Sequence, residues 1–215
     1  MPMPETPSLF ANLDEHALRA LSPNGVIRSF PKGAVLVNEG DGTDMLYVLM
    51  TGRVKAFLSD ESGKEVILDT IGVGAYFGEM VLDGGPRSAS IMALEPCKAY
   101  LIPRRDVEGL IESDPAFARD LMNRLIGRVR SLTSRVRDLT LSDVYGRFVK
   151  FVDAHAVEKD GLRVVPERLT QHDIAARIGG SREMVSRIVK ELAVGGYITM
   201  DAKHVTVHKK LPAKW

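Results

Sequence analysis

The chain has 215 residues, 45% hydrophobic and 27% charged, with a net charge of +1, the composition of one large or two small globular domains. No apolar run reaches the about 18 residues of a membrane-spanning helix. The single cysteine, Cys97, excludes an internal disulfide and any four-cysteine iron–sulfur or zinc site.

Met1–Pro7 lacks the basic start and apolar stretch of a signal peptide, so a cytoplasmic location is expected. Residues 9–22 read as a short amphipathic helix. From Val26 to about Pro103, short β-branched and aromatic runs alternate with glycine turns: Ala34–Val37, Met45–Met50, Val54–Leu58, Val66–Ile71, Ser90–Leu94 and Lys98–Ile102. Regular short strands with turn signals predict a sandwich, barrel or roll. Glu61–Lys64 reads as a hairpin tip, and Cys97 as a small core residue.

Within this β-rich part, Phe77-Gly78-Glu79-Met80-Val81-Leu82 is followed by Arg87-Ser88-Ala89. Gly78 lets the backbone approach an anion closely, and the amides after it can point at phosphate oxygens. Arg87 can fork onto a phosphate and Ser88 adds a hydroxyl. Glu79 would repel phosphate, but suits a sugar hydroxyl on the same ligand. The segment is consistent with a ribose-phosphate cradle, and equally with a strand end and a Gly-Gly-Pro turn beside a surface arginine.

A long helix follows, with Asp114 as its cap and Pro115 at its first position. Leu121, Leu125, Val129, Leu132, Val136 and Leu139 recur at steps of 4, 4, 3, 4 and 3, an apolar seam of coiled-coil type. Arginines 119, 124, 128, 130, 135 and 137 rim it. Such a helix either lies on its own sheet or pairs with a copy of itself, and pairing is the expectation. Ser142 is the expected cap of the next helix, whose apolar face is Val144, Phe148, Phe151 and Val152; residues 158–163 read as a polar loop.

Thr170-Gln171-His172-Asp173 opens a short helix with a capping-box pattern. Gly179-Gly180 makes a turn, and Ser181 caps a second helix from Arg182 to about Val194. Val185, Ile188, Val189 and Leu192 point one way; Glu183, Ser186, Arg187 and Lys190 point the other. Residues 197–200 and 205–207 suggest a small β wing. The arrangement is a helix-turn-helix with a polar reading face, or a helical hairpin with a solvated charged face. Arg182 and Arg187 can fork onto guanine, Glu183 can accept from cytosine, and Ser186 can reach a base or phosphate. Thr170, the Ser181 helix start, Lys190 and Lys203 are candidate phosphate contacts. Residues 142–215 hold 13 basic against 9 acidic side chains, whereas residues 1–141 hold 16 against 19. The basic C-terminal part thus suits double-stranded DNA.

With both features in one chain, the sequence resembles the cyclic-AMP receptor protein and fumarate–nitrate reduction regulator (CRP/FNR) family of bacterial transcription factors. The similarity runs from about Phe30 to Val207, on Gly33, Gly40, Gly52, Gly72 and Gly78, Phe77-Gly78-Glu79 with Arg87-Ser88-Ala89, Asp143–Arg147, and Ser181–Arg187. The resemblance implies an α+β chain: a jelly-roll-like cyclic-nucleotide-binding β-roll over 1–113, a dimerisation helix over 114–141, and a winged helix-turn-helix over 142–215. It implies a ligand set of Gly78, Glu79, Met80, Arg87, Ser88 and Ala89, joined by Arg128, Leu132 and Thr133 from the long helix. In cyclic-AMP members the last two positions are Thr then Ser. Leu132 departs from that pattern, leaving the base of the nucleotide open, with cyclic AMP first.

By the same resemblance, Arg182, Glu183 and Arg187 are similar to the type that reads TGTGA half-sites, although Ser186 resembles the type that reads TTGAT. The implied partners are DNA, a second copy of the chain and RNA polymerase, the last through the 158–163 loop. Clustered N-terminal cysteines of the oxygen sensors are lacking, and only His16 of the five histidines falls in the sensory half to serve a haem. No metal-ligand cluster, Walker loop or nucleophile–base pair is evident, so no catalytic residue or metal is assigned. A ligand-independent or other-effector regulator of the same family and, more remotely, a nucleotide-processing enzyme are the alternatives.

Overall fold

The structure, a computed structural model, describes residues 10, 13–42, 44–61, 63–159, 161–201 and 204–212. It divides into two compact units, one ending at Arg128 and the other beginning at Val129. The division falls inside one continuous helix, Pro115–Leu141.

The first unit carries α1 (Glu15–Leu21), β1 (Val26–Phe30), β2 (Val35–Val37), β3 (Met45–Thr51), β4 (Val54–Ser59), β5 (Glu65–Ile71), β6 (Tyr76–Phe77), β7 (Ser90–Ala93), β8 (Cys97–Pro103), α2 (Arg104–Ser113) and the start of α3 (Pro115–Leu141). Its strands form two four-stranded antiparallel sheets, ordered β1-β8-β3-β6 and β2-β7-β4-β5. Side chains alternate across a strand, so β3 and β8 serve two cores at once. Leu46, Val48, Tyr100 and Ile102 face Leu18, Val107, Leu110 and Phe117. Tyr47, Leu49, Ala99 and Leu101 face Val54, Ile71 and Ile91 of the other sheet. Burial on both faces is why these strands read as nearly unbroken apolar runs. Cys97 is buried in the second core, where burial pushes its thiol pKa up.

Six strands lie where the sequence pattern places them. The structure adds β1, β6 and α2. Helix α2 buries Val107 and Leu110 but has no side-chain N-cap to announce it. α1 is shorter than the expected 9–22 helix, starting after Asp14, whose side chain accepts from the Ala17 amide at 2.8 Å. Asp114 caps α3, accepting from Ala116 and Phe117 amides at 2.9 and 3.3 Å.

The second unit continues α3 and adds α4 (Val144–His155), β9 (Val157–Lys159), β10 (Leu162–Val165), α5 (Gln171–Ile178), α6 (Arg182–Val194), β11 (Ile198–Asp201) and β12 (His204–Val207). Asp143, not Ser142, caps α4, because its carboxylate reaches the Gly146 amide at 2.6 Å. The expected polar loop at 158–163 is mostly strand. β9 and β10 pair antiparallel and join the wing in one sheet ordered β11-β12-β10-β9. Tyr145, Phe148, Phe151 and Val152 of α4 meet Ile174, Ile178, Val185, Ile188 and Leu192 in one buried cluster that also takes in Ile198, Val205 and Val207. The fold is α+β: a β-roll, a long helix and a winged helix-turn-helix.

Candidate functional site

β6 is followed by Gly78, whose φ of +89° is a left-handed conformation that favours glycine. A Cβ there would sit 2.8 Å from Arg87 Nη1 and 3.1 Å from the Met45 carbonyl, so a side chain is excluded on two counts. Glu79–Leu82 then form one 3-10 turn.

Arg87 is 4% exposed, which rules out a surface arginine. Its Nη1 donates to the Gly78 carbonyl and its Nη2 to the Met45 carbonyl, both at 2.6 Å. Burial draws its pKa down, while Tyr47, Glu79 and Asp44 push it back up. A buried guanidinium is costly unless charge and hydrogen bonds surround it, and the two carbonyls with nearby Glu79 and Asp44 supply such surroundings.

Glu79 is 7% exposed. Its Oε1 accepts from Arg128 Nη1 on α3, which lies 49 residues away in sequence. Its Oε2 is buried and has no hydrogen-bond partner among the described residues. Buried carboxylate oxygens are normally satisfied, so this oxygen calls for a donor. Met80 and Ala89 flank the turn half-buried, and Ser88 is exposed. Arg104 Nη2 reaches the Leu82 carbonyl at 3.3 Å and closes the far end of the turn. Neither Arg104 nor the carbonyl partners of Arg87 were foreseen, because a backbone acceptor leaves no mark in the sequence.

Leu132 and Thr133 lie farther along α3, in the second unit. Leu132 is 49% exposed, and the Thr133 hydroxyl donates to the Val129 carbonyl at 2.9 Å. The seam of α3 needs a correction. Leu121 is 6% exposed and packs with Phe117 in the roll core, and Leu125 is half-buried against that core. Neither presents a free face. The uncovered apolar residues of α3 are Met122, Ile126, Val129, Leu132, Val136, Leu139 and Leu141.

In the second unit, α5 and α6 meet at Gly179, whose φ is +65°. A Cβ there would lie 2.6 Å from Leu139 Cδ2, the end of a half-exposed side chain that would have to shift. Ser181 caps α6 by accepting from the Met184 amide at 3.2 Å. Val185, Ile188, Val189 and Leu192 are buried, while Arg182, Glu183, Ser186, Arg187 and Lys190 are exposed. The Glu183 carboxyl is held below its ordinary pKa by its own backbone N–H and by Ser181, so it stays an ionised acceptor. Arg187 Nη2 lies 2.8 Å from the Met184 sulfur.

Thr170 forms the full capping box at the start of α5. Its amide and hydroxyl both donate to Asp173 Oδ2, at 2.7 and 2.6 Å. Lys203 lies outside the described residues. An open hollow of about 460 Å³ is lined by Thr170, Gln171, His172, Arg182 and Met200. It brings the starts of both helices beside the wing.

A β-roll holding a buried Gly-Glu/Arg cassette, in one chain with a winged helix-turn-helix, defines the class: a DNA-binding transcription regulator with a sensory domain. Residues 27–114 match the cyclic nucleotide-binding domain family, and residues 146–210 match the Crp-like helix-turn-helix domain. The cAMP-activated global transcriptional regulator CRP of Pasteurella multocida is 31% identical over 85% of this chain and 90% of its own length. The CRP-like cAMP-activated global transcriptional regulator of Mycobacterium tuberculosis is 29% identical, over 93% and 91%. In fold, the c-di-GMP responsive global regulator CLP of Xanthomonas campestris superposes with a TM-score of 0.77 over 89% of this chain and 97% of that one, at 23% identity.

The chain belongs to the CRP/FNR family of transcription regulators. The domains and relatives are those of regulators, not enzymes. Among the described residues, no His, Cys, Asp or Glu cluster could hold a metal ion, and no helix is long and apolar enough to cross a membrane.

Proposed function

We propose that the chain is a homodimeric regulator that binds a cyclic nucleotide, cyclic AMP first, in the β-roll, and a palindromic DNA site with TGTGA-like half-sites through α6. The observation that carries the effector reading is Glu79, a buried carboxylate with one oxygen on Arg128 and the other unsatisfied. A ribose hydroxyl is the neutral donor that fits it, with the cyclic phosphate toward Arg87 and Ser88. Both relatives above are described as cAMP-activated, which supports cyclic AMP. Met80 and Ala89, half-buried beside the turn, would flank the remainder of the nucleotide. RNA polymerase is the proposed further partner, through the exposed residues of the β9–β10 hairpin, and the cytoplasm the proposed location.

The uncovered apolar face of α3 from Met122 to Leu139 supports pairing with a second copy. The ligand biases two arrangements of the dimer only by its difference in affinity for them. Moving from about 1% to 99% active requires roughly 5.5 kcal/mol, which two sites share. In the active arrangement the two recognition helices stand about 34 Å apart, one turn of DNA.

The test is a thermal-shift and calorimetry panel of cyclic AMP, cyclic GMP and cyclic di-GMP. A nucleotide that binds only the native protein adds about 2.7 kcal/mol at a hundredfold excess over its dissociation constant. Glu79→Gln and Arg87→Leu should each lose that shift while near-ultraviolet circular dichroism stays native. Unaltered binding in Arg87→Leu would refute its phosphate role. No stabilisation of wild type by any of the three would overturn the effector reading.

A further inference from the structure

Tyr76 stands three residues before Glu79, and it too is tied to α3. Its hydroxyl donates to Asp120 Oδ2 at 3.0 Å. The same oxygen accepts from Arg124 Nε at 3.1 Å, and the Arg124 guanidinium lies over the Tyr76 ring, 4.6 Å from its centroid. Tyr76 is 3% exposed, and the Asp120 and Arg124 side chains are 14% and 24% exposed. Asp120, Arg124 and Arg128 recur at steps of four, so they share one face of the helix. Asp120 and Arg128 are separated by about 12 Å along its axis. The segment 76–79 is therefore stitched to α3 at two points, with the left-handed Gly78 between them.

The two stitches differ in character. Glu79–Arg128 joins a buried carboxylate to an arginine side chain that is 38% exposed, so one partner of that pair is open to solvent. The Tyr76 cluster is enclosed: its ring packs edge-on against Phe10 at 5.4 Å and lies 6.5 Å from Phe117 of α3. Ring packing alone would be met by phenylalanine. A buried hydroxyl demands an acceptor, which makes this contact directional. Burial first, then the Asp120 carboxylate, raise the Tyr76 pKa far above its ordinary value, so the hydroxyl remains a donor.

We propose that Tyr76 and Asp120 are positioning residues of the effector cassette: with Arg124 they pin β6 to α3, two turns before Glu79 meets Arg128, so that the cassette and the helix move as one body. The pin transmits occupancy of the cassette to the helix without touching the ligand. This rests on the effector reading above, but the pin itself is testable without any ligand.

The experiment uses the full chain and amide hydrogen exchange of α3, with and without cyclic AMP as the probe, beside calorimetric affinity for cyclic AMP. Tyr76→Phe and Asp120→Leu should speed exchange of the 117–128 amides about tenfold without nucleotide, the loss of one hydrogen bond to a charged group. They should bind cyclic AMP within about threefold of wild type, yet lose most of the exchange response of α3 to it. Asp120→Asn keeps an acceptor oxygen and should retain most of the response. Phe117→Leu, a packing control on the same helix, should lower the melting temperature and leave the response intact.

Unchanged basal exchange in Tyr76→Phe, or a full nucleotide response in it, would overturn the pin. Loss of response in Phe117→Leu equal to that in Tyr76→Phe would reduce the cluster to ordinary packing. If wild type ignores cyclic AMP, that probe reading fails, and basal exchange alone decides the pin.

Discussion

Arg147 of α4 donates from Nε to the carbonyl of Ile178, the last residue of α5, at 2.7 Å. Its Nη2 reaches the Gly179 carbonyl at 3.2 Å and its Nη1 the Ser142 carbonyl at 2.6 Å. Terminal carbonyls of a helix lack partners within it and carry partial negative charge. One guanidinium therefore closes the end of α5, holds the turn of the helix-turn-helix, and ties both to the chain leaving α3. Arg147→Met should destabilise the second unit by about 1–3 kcal/mol, with Arg147→Lys intermediate because it keeps the charge but not the fork. Urea unfolding of the three proteins checks this; a methionine variant as stable as wild type would remove Arg147 from the account.

Asp106 supplies a pH dependence. It accepts from the Ser22 hydroxyl at 2.5 Å and from Asn24 Nδ2 at 3.0 Å, while the Tyr100 hydroxyl donates to the Ser22 carbonyl at 2.7 Å. Burial alone would raise the Asp106 pKa, but the bonds from Ser22 and Asn24 outweigh it and leave it below the ordinary value. A carboxyl with a depressed folded pKa stabilises above its unfolded value, about 3.9, and loses that contribution as pH falls through the folded one. Asp106→Asn should therefore melt lower than wild type at pH 7, with the gap narrowing below about pH 4. Thermal melts at pH 7 and pH 3 give the comparison, and a gap that does not change between them would contradict it.

What the sequence revealed was local. The limits of α6, the cap at Ser181, the capping box at Thr170 and the cap at Asp114 each depend on residues within one turn, and the structure keeps all of them. Six strands were visible through their alternation or apolar density. Two-residue β6 is too short to show a period, and α2 lacks a capping side chain. Leu121 matched the seam by spacing, but the roll core claims it, and spacing cannot say which partner a helix face meets. The same holds at the cassette. Gly78, Glu79 and Arg87 stood out by type and proximity, whereas the resemblance marked Arg128 only as a ligand-reaching position, and its bond to Glu79, 49 residues away, left no sign in the sequence. Arg87 itself is anchored on carbonyls, which every residue possesses.

The α3 face gives a prediction about assembly. Val129 and Val136 are 63% and 64% exposed and belong to no core of this chain. In a two-fold dimer each substitution appears twice across the same contact. Val136→Lys should raise the dimer dissociation constant by about a hundredfold or more through like-charge repulsion and desolvation, and leave the monomer's melting temperature unchanged. Analytical ultracentrifugation over a concentration series measures it. A wild-type protein that sediments as a monomer at every concentration would end the dimer proposal.

The recognition face separates base reading from phosphate contact. Arg187 now lies against the Met184 sulfur at 2.8 Å and must swing off it to fork onto a guanine. That contact is weak, since a thioether is a poor acceptor, so the rearrangement is small beside what a bidentate base contact provides. Arg187→Ala should forfeit about 1–3 kcal/mol of discrimination at one base pair. Lys190, exposed on the same helix, should behave as a point charge. Its alanine variant should weaken all duplexes alike and flatten the salt dependence by about one unit of slope. Fluorescence anisotropy with a TGTGA palindrome, a TTGAT palindrome and a scrambled duplex at two salt concentrations distinguishes the roles. If both variants lose equally on all three duplexes, Arg187 contacts phosphate rather than a base, and the half-site assignment falls with it.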